Sequence, residues 1–350
     1  MANDPALTWD EMLNFFRALG GVCENIVPGP LGRGLFAKDP EQPVLLKVPP
    51  VLLFNVDDIE FVDGCLRLKP LANVMDAHRT FFDRYQNAFS WGGGGFVECA
   101  GFVVALDGLA PDVRNLLAAN FGMGALFEGD PVERAQKLFL GFRTIQNGDR
   151  TFLAPLIELA RQSATGLPLD FAHGLQIEGS RNGEVLVSHG VYDSLSKFRP
   201  FGSEGREPGA FSLPVKVAAG VPEVTIGRDF ARSMKRGTDW VPVLERGEGS
   251  IELSYLMIGH AKIPRLSRGI FRTLAREGGV SDPDDIFDRI LNFNWNRFLQ
   301  LLAVLEPHEG EMITVLRKMA RYQLEAMAHC IGSRDVESSP PAQVWEISFE

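Results

Sequence analysis

The sequence predicts an α+β protein: a β-rich domain with a helical insertion, followed by an all-helical C-terminal domain. Two patterns carry that expectation. Short strand-like runs broken by Gly and Pro give way near residue 71 to helical periodicity, and strands return between 151 and 227 before the chain turns helical again. The regular strand-helix-strand alternation of a doubly wound sheet is missing. The boundaries read from these shifts are 1–227 for the first domain, with its insertion at about 71–150, and 228–350 for the second. A chain of 350 residues, 45% hydrophobic and 23% charged, has the length and composition to fill such cores.

Each element has its own signal. Leu7, Met12, Leu13, Phe15, Phe16 and Leu19 fall at helical spacing, and Gly20-Gly21 ends the run. "ENIVPG", "GRGLFA" and "PVLLKVP" read as short strands. "VMDAHRTFFDRYQNAF", "LAPDVRNLLAANFG" and "DPVERAQKLFLGFRTI" read as the inserted helices. The glycine-rich "WGGGGFVECAG" among them lacks the Lys-Ser/Thr of a phosphate loop, so a flexible loop is expected there. "FLAPLIELA", "LPLDFAHGLQIEG", "GEVLVSHG" and "FSLPVKVAA" are strand-like, and "SRNG" is a hairpin turn between "GLQIEG" and "EVLVSHG". In the C-terminal part, Ser281 or Asp282 caps a long helix. Met312, Val315, Leu316, Met319, Tyr322 and Leu324 form a packing stripe on the next.

Charge and residue usage restrict function. A net charge of −10 argues against general affinity for nucleic acid or anionic membrane. The basic stretches "RSMKR" (232–236) and "RLSRGIFRTLAR" (265–276) are read as solvated faces. The opening residues have no basic n-region, and no window reaches the roughly 18 apolar residues of a membrane span, so a cytoplasmic protein is expected. Cys23, Cys65, Cys99 and Cys330 form no C-x-x-C pair, and the six histidines show no H-E-x-x-H spacing. Free thiols and no metal are expected.

Three separated pieces point to one family. "GPLGRGLFAKDPEQPVLLKVPPVLLFN" resembles the opening of a SET domain, "FLAPLIELARQS" resembles the segment that carries the family's Asn-His pair, and "NGEVLVSHGVYDSLSKFRPFGS" resembles the run that closes the domain. With the inserted and C-terminal helices, the chain is similar over about residues 20–335 to the RuBisCO large-subunit lysine methyltransferase branch. The resemblance implies S-adenosylmethionine as cofactor, with a lysine-like side chain entering from the other side and a protein substrate held by the C-terminal helices. It implies Gly32, Arg33, Gly34 and Leu35 along the cofactor, where glycine lets backbone approach a polar ligand; the alternative is a turn between strands.

Two positions depart from the family. Arg161-Gln162 stands where the family has Asn-His, and His189 where it has its catalytic tyrosine. Gln162 still offers an amide, but a cationic Arg161 beside a cationic cofactor is repulsive unless it points away. The other reading of Arg161 is a structural ion pair with Glu158. His189 is either an orienting group and base titrating near neutral pH or a loop histidine, and Tyr192 takes the role if the strand ends in a bulge. The expected function is therefore a SET-type methyltransferase on a protein side chain. The alternatives are a SET-like partner-binding module without that activity and an enzyme of different chemistry on a small acidic substrate anchored by Arg161.

Overall fold

The structure is a computed structural model and describes residues 7–29, 34–62, 64–89, 95–147, 150–188, 193–201, 206–218, 222–236 and 239–331. It is a mixed α+β chain with several small sheets and C-terminal helices. Its contacts divide it into two compact units, residues 1–104 with 129–190 and residues 105–128 with 191–350.

In the first unit, Thr8 caps the helix Trp9–Ala18, exchanging hydrogen bonds with Glu11 in a capping box, and the helix buries Met12, Leu13 and Phe16. Pro43–Val48 is the central strand of an antiparallel sheet, between Val22–Glu24 and Leu175–Ser180. Its alternation sends Val44, Leu46 and Val48 into the core, with Cys23 and Ile177 paired to Leu46. The helix Asp76–Ala88 adds Phe81, Phe82 and Tyr85 to this core, with Tyr85 stacked on Phe81. Arg79 binds the carbonyls of Leu68, Lys69 and Ala72, which fastens the helix to the strand Cys65–Leu68 and the turn after it.

One local expectation fails here. The strands around "SRNG" do not pair with each other: Leu175–Ser180 joins Pro43–Val48, and Leu186–Ser188 runs parallel to Arg161–Pro168. Distant partners win because they bury Ile177, Val185 and Val187 fully, which outweighs a local turn preference.

In the second unit, a four-stranded sheet has the order Val215–Val217, Glu223–Ile226, Ser250–Leu253, Leu244–Gly247. Gly209–Phe211 pairs with Met257–His260, which lies against the helix Glu311–Ile331. A side chain at Gly259 would meet the Ala326 carbonyl oxygen at 2.5 Å, so glycine permits this contact. The expected all-helical character from residue 228 is corrected: strands fill much of 233–260, and continuous helix begins at Pro264. Alternating burial in Ser250–Leu253 gives the reason, a period-two pattern. The expected boundary at 227 also does not follow this division, since strands before and after it share one sheet. Pro111–Phe121, from the expected insertion, belongs to this unit as well.

Asp282 caps the helix Pro283–Leu305, and Val315, Leu316, Met319 and Leu324 are buried from the expected stripe. Arg268 and Arg272, from the second basic stretch, are ion-paired with Asp284, and Arg268 also with Asp288. Arg232 of the first stretch pairs with Glu245. Asp193 is fully buried, capping the helix Ser194–Phe201 through Ser196 N while accepting from Arg228 at 2.7 Å and from Phe211 N at 3.0 Å.

Candidate functional site

Parts of the three sequence pieces meet in the first unit. Gly34 has a φ of +75°, a conformation that favours glycine, and its carbonyl accepts from Gly29 N at 2.9 Å. A Cβ there would lie 3.3 Å from Glu184 Oε1 and from the Phe36 ring. Leu35 is buried, and its carbonyl accepts from Val185 N at 2.7 Å. Ala37 N donates to Gly183 O at 2.9 Å, and Phe36 bridges Glu184. "GLFA" is thus fastened to "GEV".

The second piece closes the arrangement from another direction. Arg161 pairs with Leu186 and Gln162 with Val187 in the parallel ladder. The register then shifts, so that Leu167 also faces Val187. Gly166 makes this possible, because a Cβ there would lie 2.3 Å from the Val187 carbonyl carbon. Gln162 is half-buried, with its side-chain oxygen out of solvent.

Arg161 does not pair with Glu158, contrary to one expectation. Residues Ile157–Leu159 form a single 3-10 turn and Ala160 is extended, so no helical spacing joins the two. Arg161 Nη2 instead lies 2.5 Å from Glu184 Oε2, with the arginine side chain 70% exposed and the glutamate 23%. The Glu184 carboxylate therefore offsets the charge that Arg161 would place beside a cationic ligand.

Glu158 belongs to a buried polar cluster behind this site. Its Oε2 accepts from Arg143 Nε at 2.6 Å and its Oε1 from Gln86 Nε2 at 3.4 Å, while Arg143 Nη2 donates to Gln86 Oε1 at 2.6 Å. Arg143 also lies over the Phe139 ring at 4.8 Å. The Tyr85 hydroxyl accepts from Leu156 N at 2.9 Å. Burial first, then the Glu158 charge, holds the Tyr85 phenol well above its usual pKa. The sequence reading missed this cluster and the role of Glu184. The available signal was charge embedded in apolar sequence, Glu158 between Ile157 and Leu159 and Arg143 after Phe142.

Of the expected site residues, Gly34, Leu35, Arg161 and Gln162 are placed in this one region. Gly32, Arg33, His189 and Tyr192 lie outside the described residues. Among the described residues no group of three or more His, Cys, Asp or Glu could hold a metal ion, and no helix is long and apolar enough to cross a membrane.

S-adenosylmethionine carries positive charge at its sulfur and amine, so a fitting site needs acidic or neutral oxygen donors and accessible backbone. The Gln162 side-chain amide and the side-chain-free Gly34 meet the neutral part of that requirement, while the Glu184 carboxylate neutralises Arg161.

No known family model and no curated protein matches this chain. Among solved structures, the SET domain of LSMT bound to lysine and AdoHcy is similar over 95% of this chain and 91% of that one, at 10% identity and a TM-score of 0.37. That score does not by itself define a common fold.

Proposed function

We propose that this protein is a SET-type, S-adenosylmethionine-dependent methyltransferase acting on a lysine-like side chain of a protein. The observation that supports this reading most is the convergence of three pieces distant in sequence. Leu35 binds Val185, Arg161 and Gln162 pair with Leu186 and Val187, and Arg161 reaches Glu184. Each piece resembles a SET motif, and their meeting is what a shared site requires.

When bound, the cofactor supplies an electrophilic methyl group on sulfur. The chain's own part is to hold that charge and present a neutral amine in line, since positioning accounts for much of the rate in such a transfer. The Arg161–Glu184 ion pair keeps the arginine's charge from opposing that of the cofactor, and Gln162 and the Gly34 backbone provide hydrogen-bonding groups. With the cofactor bound, transfer would form the C–N bond as the C–S bond breaks, and the methylated ammonium would leave one proton for a residue of this chain to take. His189 follows the strand Leu186–Ser188 directly and is assigned to orient the amine and take that proton. The helices of the second unit are assigned to the protein partner. The reading with Arg161 as anchor for a small acidic substrate is weaker, because Arg161 already has a carboxylate partner.

Titration calorimetry of the protein with S-adenosylmethionine and with S-adenosylhomocysteine tests the proposal. Micromolar binding of both is expected, and His189→Phe should retain that affinity within a few-fold while abolishing methyl transfer. Absence of binding in a folded sample would overturn the reading.

A further inference from the structure

Among the described residues, two non-glycine residues have a positive φ, Asn25 and Leu156. Asparagine tolerates that conformation; a buried leucine does not adopt it without support. Leu156 has φ +67° and ψ −49°, and Ile157 N donates across it to Pro155 O at 2.9 Å. This is the γ-turn with positive central φ, the rare and strained form. Strain of this kind persists where surrounding structure enforces it, and it concentrates at functional sites.

The enforcing structure is visible. The γ-turn leaves Leu156 N without a backbone partner, and the Tyr85 hydroxyl accepts from it. Tyr85 is fully buried on the helix Asp76–Ala88 and stacked on Phe81 at 5.7 Å and 11°. The Glu158 carboxylate, whose charge acts on the same hydroxyl, is held by Arg143 at 2.6 Å. Tyr85 thus holds the turn directly at Leu156, and the Arg143–Glu158 pair anchors the residue on the other side of Ile157. Two residues beyond Glu158 the chain straightens at Ala160 and enters the ladder at Arg161 and Gln162.

We infer that Tyr85 is a positioning residue. Through the Leu156 turn it sets where Arg161 and Gln162 enter the site, and its consequence for ligand binding rests on the function proposed above. The direction of strand Arg161–Pro168 is decided by a turn that would relax without that hydroxyl.

The test is Tyr85→Phe, read in two ways. In hydrogen exchange, the amides of residues 156–162 should exchange about 5–10-fold faster, the loss of one buried hydrogen bond, while the sheet joining Cys23, Leu46 and Ile177 keeps its protection. No change at 156–162, or a uniform rise across the first unit, would overturn the inference. In calorimetry, S-adenosylhomocysteine should bind the variant about 5–10-fold more weakly at a temperature well below unfolding. Equal affinity in both proteins would also overturn it. If the parent protein binds no S-adenosylhomocysteine, the proposed function fails, and the exchange measurement alone decides the role of Tyr85.

Discussion

Replacing Arg143 by Met should destabilise the first unit severely. Arg143 and Glu158 are 1% and 0% exposed, and their contact is 2.6 Å. Without the guanidinium, Glu158 loses its 2.6 Å partner, and its contact to Gln86 Nε2 is longer, at 3.4 Å. Leaving one member of a buried pair uncompensated costs about 3–5 kcal/mol. At about 2–4 °C per kcal/mol for a unit of this size, Tm should fall by about 6–20 °C. Glu158→Leu should cost a similar amount, because the guanidinium then loses its carboxylate and is left, among the described residues, with Gln86 Oε1 and the Phe139 face. The double variant should recover most of the loss, since removing both charges removes the desolvation penalty with the attraction, and the cycle should show coupling of about 2 kcal/mol or more. Arg161→Ala is the comparison: its pair with Glu184 is exposed, and its loss should cost about 0–1 kcal/mol. Urea and thermal denaturation of the parent and the four variants followed by circular dichroism give these numbers. A loss under about 1 kcal/mol in Arg143→Met would refute the description of the pair as desolvated.

Two further outcomes are expected. Gly166→Ala should lower stability by about 1–3 kcal/mol or more, because its Cβ would meet backbone atoms of Val187 and Ser188 that cannot swing aside, whereas Gly101→Ala, in open space on a helix, should be neutral or stabilising by thermal melts. Burial, and secondarily Lys262, lowers the His260 pKa below 6.5, consistent with its Nδ1 accepting from Lys262 N and Ile263 N. Below pH 6.5 the unfolded chain then takes up the proton first, so stability contributed here is intact above that pH and lost as pH falls through the folded pKa. In melts between about pH 7.5 and 5, His260→Asn should flatten this slope, and an unaltered slope would exclude His260 as its source.

Much of the local structure was determined by the sequence itself. Thr8 and Asp282 are caps because their side chains can accept from the first-turn amides. The alternation of Pro43–Val48 allows one buried face, and the helical stripe before Ile331 has one period and one way to bury it. These features depend on neighbours within a few positions, which a linear reading contains.

Choices among distant partners were decided only by tertiary structure. "SRNG" had the chemistry of a hairpin turn, yet the strands on either side found other neighbours whose pairing buried more apolar surface. Arg161 had Glu158 close in sequence and took Glu184, because Glu158 was withdrawn into the core by Arg143. The Leu156 turn had no sequence signal, since its conformation is imposed by Tyr85, 71 residues away. Energies of burial and ion pairing are set by what surrounds a group after folding, and for Arg161, Glu158 and Leu156 those surroundings come from parts of the chain that no local pattern connects.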